Sequence, residues 1–170
     1  MKKLLTTLSI TIMSLTLFGQ TDFEKRIIEE INIHRASMSL APATFDSAAY
    51  KIAKEQLEYM VKTNNLPPIK IVGEDGRIVE KKLRELMDEN NFIGNGGCVS
   101  QTDFIHNNGV IRSDQELISR IMNLMISDRK SEVNMLLPIS PTLNQKYVIG
   151  VKSTVSNGKL YTAMVICEVK

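Results

Sequence analysis

The sequence predicts an α+β domain: about four helices, then a two-stranded hairpin at the C-terminal end. Two observations carry this reading. Apolar residues recur at helical spacing in four separate stretches. Near the end, two β-rich runs flank Asn157-Gly158, a dipeptide whose members both tolerate the positive φ of a tight hairpin turn. A third feature, an apolar leader, sets where the fold begins.

Met1 to Gln20 reads as an export signal. Lys2-Lys3 is a positive start, Leu4 to Phe18 is apolar and hydroxyl-bearing with no acid, and Gly19 suits the position before a cut. A membrane-spanning helix needs about 20 apolar residues. This run is shorter, and Thr6, Thr7, Ser9, Thr11, Ser14 and Thr16 dilute it. Cleavage after Gly19 or Gln20 leaves residues 21–170 as one domain, secreted or periplasmic, with no further transmembrane segment expected. The whole chain carries 21 Lys and Arg against 19 Asp and Glu. Two of the cations are Lys2 and Lys3, so the remainder balances at 19 and 19. No basic stripe is present, which argues against nucleic acid as a partner.

The elements follow in order. Thr21 to Arg35 has Phe23, Ile27, Ile28 and Ile31 on one face and a capping-box pair, Thr21 and Glu24. Ser37 to Thr44 is a connector, because Pro42 turns its predecessor away from helix. Asp46 is placed to cap Ser47 to Lys62, with Phe45 before it as a hydrophobic staple. Ile69 to Asp75 is a short strand or a loop, and Arg77 to Asn90 is a third helix. Gly94 to Gly97 reads as a flexible link to a first strand, Cys98 to Phe104. It is not a phosphate loop, since it lacks the Lys-Ser/Thr ending. Ser113 to Ser127 is the fourth helix, with Ser113 and Glu116 as a second capping box. A polar elbow, Asp128 to Thr142, leads to the hairpin strands Lys146 to Thr154 and Leu160 to Val169.

Cys98 and Cys167 are the only cysteines. An exported chain with an even count is expected to pair them. Such a bridge would close a long loop and stabilise by roughly 3–5 kcal/mol in the chain-entropy account. Met60, Met87, Met122 and Met125 sit on apolar helical faces as gap-fillers, and Tyr147 and Tyr161 are expected to fill the sheet.

The opening, Ile31-Asn32-Ile33-His34-Arg35, then Leu40 and Pro42, then Phe45-Asp46 and an Ala-rich helix ending near Asn65, resembles a CAP domain. That family includes cysteine-rich secretory proteins, antigen 5, pathogenesis-related protein one and the bacterial SCP-like proteins. Ser39 stands where the family pattern has Gly, and Ala43 where it has Leu. The order at the C-terminal end is similar too, through Asn134-Met135-Leu136-Leu137, Tyr147 to Val151 and Lys159 to Val165. The resemblance implies a three-layer α-β-α sandwich, with helices on both faces of a small antiparallel sheet.

Many CAP domains converge two His and two acids on a cleft able to hold a divalent metal. This chain departs from that set. Asn64-Asn65 stands in place of one His, Gly97-Cys98-Val99 in place of an acid-bearing triplet, and Ser131 in place of the other His. Glu116 or Asp114 is a candidate for the remaining acid. No metal site and no cofactor are therefore expected. The candidate cleft residues are Asn64, Asn65, His106, Ser131 and Asn134. His34, on a helix, reads as a packed or surface residue, and His106 as a loop residue bordering the cleft. The reading favoured by these departures is a secreted, non-enzymatic binding protein, whose partner is an extracellular or envelope protein or a small apolar ligand. Two alternatives stand beside it. One is an atypical hydrolase around His106 and Ser131, which would need a base within reach of the serine. The other is a small lipid or sterol binder.

Overall fold

A computed structural model describes residues 20–63, 89–129, 131–132 and 146–169. It contains α1 (Asp22–Ser37), β1 (Ala43–Phe45), α2 (Ser47–Thr63), β2 (Phe92–Asp103), α3 (Asp114–Ser127), β3 (Lys146–Ser156) and β4 (Lys159–Val169). The leader up to residue 19, Asn64, Asn65, Asn134, the stretch 69–75 and nearly all of the helix expected over 77–90 lie outside the described residues.

Local rules set α1 and its exit. Thr21 and Glu24 complete the capping box: Thr21 Oγ1 accepts from Glu24 N at 3.2 Å, and Glu24 Oε2 accepts from Thr21 N at 2.9 Å. At the far end, Ser39 N donates to Ala36 O and Leu40 N to Arg35 O. This is a Schellman ending with Ser39 at the left-handed position, φ +59°. The next residues are held by side chains of α1. Asn32 bonds both ways with Ala43, accepting from its N at 2.8 Å and donating to its O at 3.0 Å. Arg35 Nε donates to Ala41 O at 2.9 Å, and its guanidinium lies 4.5 Å above the Tyr147 ring. The connector so pinned is straight enough to become β1, a strand the sequence does not announce. Beyond it Asp46 Oδ1 accepts from Ala48 N and Ala49 N, capping α2. Phe45 meets Tyr50 edge-on at 5.9 Å, which is the expected staple.

The four strands lie in the order β1-β3-β4-β2. β3, β4 and β2 are antiparallel neighbours, whereas β1 adds in parallel to β3, so the sheet is mixed rather than wholly antiparallel. Asn157 and Gly158 make the two-residue turn between β3 and β4, with φ +50° and +72°. β2 begins at Phe92, not Cys98. Its glycines pair in register with β4 instead of forming a flexible link. A Cβ at Gly97 would come 3.3 Å from Met164 O and 3.7 Å from the Gln56 amide, so the small residue admits α2 over the strand.

Both faces of the sheet are covered. One cluster joins Ile27 and Ile31 of α1 and Leu117, Ile121 and Met125 of α3 to Ile149, Val151, Met164 and Ile166. The other joins Ile52, Leu57 and Met60 of α2 to Tyr161, Ala163, Val165 and Cys167. β4 therefore alternates between the two layers and is buried from Leu160 to Glu168. Each fully buried aliphatic side chain stabilises by roughly 1.5–3 kcal/mol, which makes this strand the backbone of the core. α2 approaches closest at Gly150, where a Cβ would overlap the backbone of Ala49 and Tyr50. The result is the α-β-α sandwich of the α+β class.

The alternation also corrects the expected disulfide. Cys98 lies opposite Met164 and faces the α1–α3 layer, whereas Cys167 faces α2. The sheet stands between them, and both are buried free thiols. Burial, with a smaller push from Asp128, raises the Cys98 thiol to about 12, and burial with Asp46 does the same for Cys167.

Two outcomes follow. Ser39→Gly removes the cost of a left-handed non-glycine residue and raises unfolding free energy by about 0.5–1 kcal/mol, read from the denaturant midpoint. Thiol titration of the native protein at pH 8 labels neither cysteine within minutes and both once denaturant is added.

Candidate functional site

Of the candidate residues, His106 and Glu116 meet where β2 hands over to α3. After β2 the chain makes a small hairpin, with Ile105 bridged to Ile111 and His106 N donating to Val110 O at 2.8 Å. Gly109, at φ +82°, turns the tip. Arg112 closes the excursion. Its side chain is buried, and Nε donates to Asp103 O at 2.9 Å. Its Nη1 reaches Nδ1 of His106 at 2.9 Å and also binds Glu116 Oε1. A guanidinium only donates, so His106 Nδ1 accepts and Nε2 carries the proton. That Nε2 donates to Glu116 Oε2 at 3.0 Å.

Glu116 is thus shared. Ser113 Oγ accepts from Glu116 N at 3.3 Å, the first half of the expected capping box. The carboxylate does the rest of its work elsewhere, on Arg112 and His106, with Arg120 Nε 3.6 Å away. Partial desolvation pushes its pKa up, but the hydrogen bonds from Arg112 and His106 and the guanidinium charge outweigh that and leave it lowered. The cluster binds the small hairpin to the first turn of α3.

The other candidates lie apart. Ser131 follows α3; its N–H and Oγ donate to Asp128 Oδ2 at 3.1 and 2.6 Å. α3 has 14 residues and a length of about 21 Å, and His106 and Ser131 lie at its opposite ends. The two do not meet. His34, near the end of α1, contacts Glu132 at 3.2 Å. α1 and α3 start at the same end, joined by Arg26 to Gln115 and Asp114, so His34 is also remote from His106. Among the described residues no group of three or more His, Cys, Asp and Glu is placed to hold a metal ion. Of the candidate acids, Glu116 is in the cluster and Asp114 pairs with Arg26 at 3.6 Å.

Two grooves flank these elements. The first, about 450 Å³, runs between the α3 residues Arg120, Asn123 and Ser127 and the end of β2, with Lys159 at its rim. The second, about 340 Å³, lies between α2 and the edge of β3 beyond the end of β1. Leu57, Val61 and Thr154 line it together with Lys54, Lys62 and Lys152. Lys152 is held in place. Its Nζ is 3.2 Å from the buried Glu24 carboxylate and 5.5 Å from the centre of the Tyr50 ring. Desolvation pulls its pKa down, but Tyr50 and Glu24 outweigh this and raise it. Glu24 Oε1 also accepts from Ser153 N at 2.9 Å, completing the β3 edge that β1 leaves open.

Arg112 and Lys152 are the residues sequence reading passed over. Arg112 lies just before the Ser113 cap, outside the helix, so no helical spacing rule marked it. Lys152 was findable as the cation that directly follows the apolar run Tyr147 to Val151.

Glu116→Gln tests the cluster. A carboxylate with a lowered folded pKa stabilises above its unfolded value of about 4.3, and that contribution is lost as pH falls through the folded value. The stability gap between wild type and Glu116→Gln is therefore constant above about pH 5.5 and closes below about pH 4, measured by denaturation at each pH.

No family model matches the chain, and no curated protein does. Solved structures do. An outer surface protein of Borrelia burgdorferi superposes with a TM-score of 0.62 at 12% identity, over 89% of this chain and 96% of that one. An extracellular protein containing an SCP domain, from Bacillus anthracis, gives 0.51 at 12% identity, over 84% of this chain and 40% of that one. This chain thus spans about two fifths of the Bacillus protein. The likeness is one of fold, and it supports the CAP-type architecture that the sequence resemblance implies.

Proposed function

We propose that this chain is a non-enzymatic, extracellular or surface-located binding domain of CAP type. Its ligand is a small, largely apolar molecule bearing an acid group, taken up between α2 and β3. The observation that carries the reading is the make-up of that groove. Leu57 and Val61 give it an apolar wall, and three lysines, Lys54, Lys62 and Lys152, line it against one acid, Glu58, which lies 3.8 Å from Lys54. A mostly apolar concavity with a few fixed polar groups is the ordinary form of a small-molecule site. Lys152, oriented by Glu24 and Tyr50, supplies a fixed cation at its edge.

The non-enzymatic half rests on His106 and Ser131. Both ring nitrogens of His106 are engaged, and the Ser131 hydroxyl is given to Asp128 at the far end of α3. A serine nucleophile needs a base beside it. Export is supported by the leader and by the two structural neighbours, an outer surface protein and an extracellular protein.

Laurate binding measured by calorimetry or native mass spectrometry tests the proposal. The expected dissociation constant is in the micromolar range, weakened about tenfold or more by Lys54→Glu with Lys62→Glu, both outside the core. No binding, or binding indifferent to the charge reversal, removes the site. Ester hydrolysis abolished by His106→Ala removes the non-enzymatic reading.

A further inference from the structure

We infer that the end of the sandwich at which the chain enters the fold docks onto a lipid surface. Independent features coincide there. A groove of about 280 Å³ is lined by Thr21 and Phe23 at the start of α1, Phe104 after β2, and Val155 and Leu160 beside the Asn157–Gly158 turn. Phe104 N donates to Gly158 O at 3.0 Å, which fixes the base of the small hairpin over 104–112 at the same place. That hairpin turns aliphatic side chains to solvent: Ile105 is 38% exposed, Val110 56% and Ile111 63%, and Val155 at 46% lies alongside. These are four of the eight large hydrophobic residues exposed among the described residues, gathered at one end. A concentration of exposed apolar surface of this kind marks an interaction site.

The hairpin is also stiffened. The Arg112–Glu116–His106 cluster ties its two arms to α3, so its aliphatic side chains are presented by a braced loop. Its tip, Asn107-Asn108-Gly109, carries no charge. The flanking charges occur in opposite pairs: Asp22 with Lys25 at 2.8 Å, Asp114 with Arg26 at 3.6 Å, and Asp103 across the strands from Lys159.

Position in the chain selects a bilayer over a protein as the occupant. Residues 1–19 carry Lys2-Lys3 and the apolar run Leu4 to Phe18, and they join the domain at Thr21, on the rim of this groove. On the export reading proposed above, a membrane holding that segment lies against this end of the domain. The patch remains on the domain after the segment is cut. Shallow insertion of aliphatic side chains into the boundary between headgroups and chains is the mode available to it.

Co-sedimentation with unilamellar vesicles tests this, using the chain from Thr21 to Lys170, which contains every described element. Vesicles of phosphatidylcholine alone, and with phosphatidylglycerol, separate an apolar from an electrostatic contribution. The expected result is binding to both, lowered about tenfold or more by Ile105→Ser, Val110→Ser and Ile111→Ser together, with laurate binding in the α2–β3 groove unchanged. Failure of the unaltered protein to bind either vesicle, or equal binding by the triple variant, overturns the inference. If the triple variant unfolds at a lower denaturant concentration, a polarity-sensitive dye on Val110→Cys decides. The native cysteines are buried, so the dye reports position 110 alone, and its emission shifts to the blue on vesicles. An unshifted emission overturns the inference.

Discussion

Because position 150 has no side chain, the first turn of α2 rests directly on β3. A methyl group there would occupy the space of the Ala49 and Tyr50 backbone. The rest of the architecture follows from that seat. With α2 so close, Ile52, Leu57 and Met60 reach Ala163, Val165 and Cys167 and cover the second face of the sheet. β4 can then be apolar on both sides. The seat also sets the groove between α2 and β3, because Leu57, Val61 and Lys152 face each other only at this spacing.

The open edge of β3 is the second constraint. β1 pairs with only Tyr147, Val148 and Ile149. Further along, Glu24 of α1 takes the place of a strand by accepting from Ser153 N while it holds Lys152. A buried carboxylate is costly unless it is bonded, and this one has Thr21 N, Ser153 N and the Lys152 ammonium. One residue therefore caps a helix, finishes a sheet edge and orients a cation at the groove. The α-β-α scaffold keeps its shape through such contacts. Asn32 and Arg35, which carry part of the family resemblance, hold the connector in place.

What could be read in the sequence was whatever is decided locally. The Thr21–Glu24 box, the Asp46 cap, the Phe45–Tyr50 staple, the apolar face of α3 and the Asn157–Gly158 turn all depend on spacings of five positions or fewer between neighbouring residues. β1 escaped because three residues become a strand only when Asn32 and β3 hold them. The glycines before Cys98 misled because a glycine that breaks a chain and one that makes room for a helix look alike in sequence. The cysteine pairing failed for a similar reason. Which face a strand residue takes depends on register, and register against β4 places Cys98 and Cys167 on opposite sides. At the site, His106 and Glu116 were legible as separate polar residues. Their union through Arg112, and the separation of Ser131 along α3, required the fold.

The seat of α2 on Gly150 is the claim on which the layers and the groove both stand. The most direct measurement is the unfolding free energy of Gly150→Ala, with Gly97→Ala as the companion at a roomier position on the same face. The account predicts a loss of about 3 kcal/mol or more at position 150, beyond ordinary overpacking of a core, and a clearly smaller change at position 97. Equal stability of Gly150→Ala and the unaltered protein would mean that α2 does not lie against β3 as described.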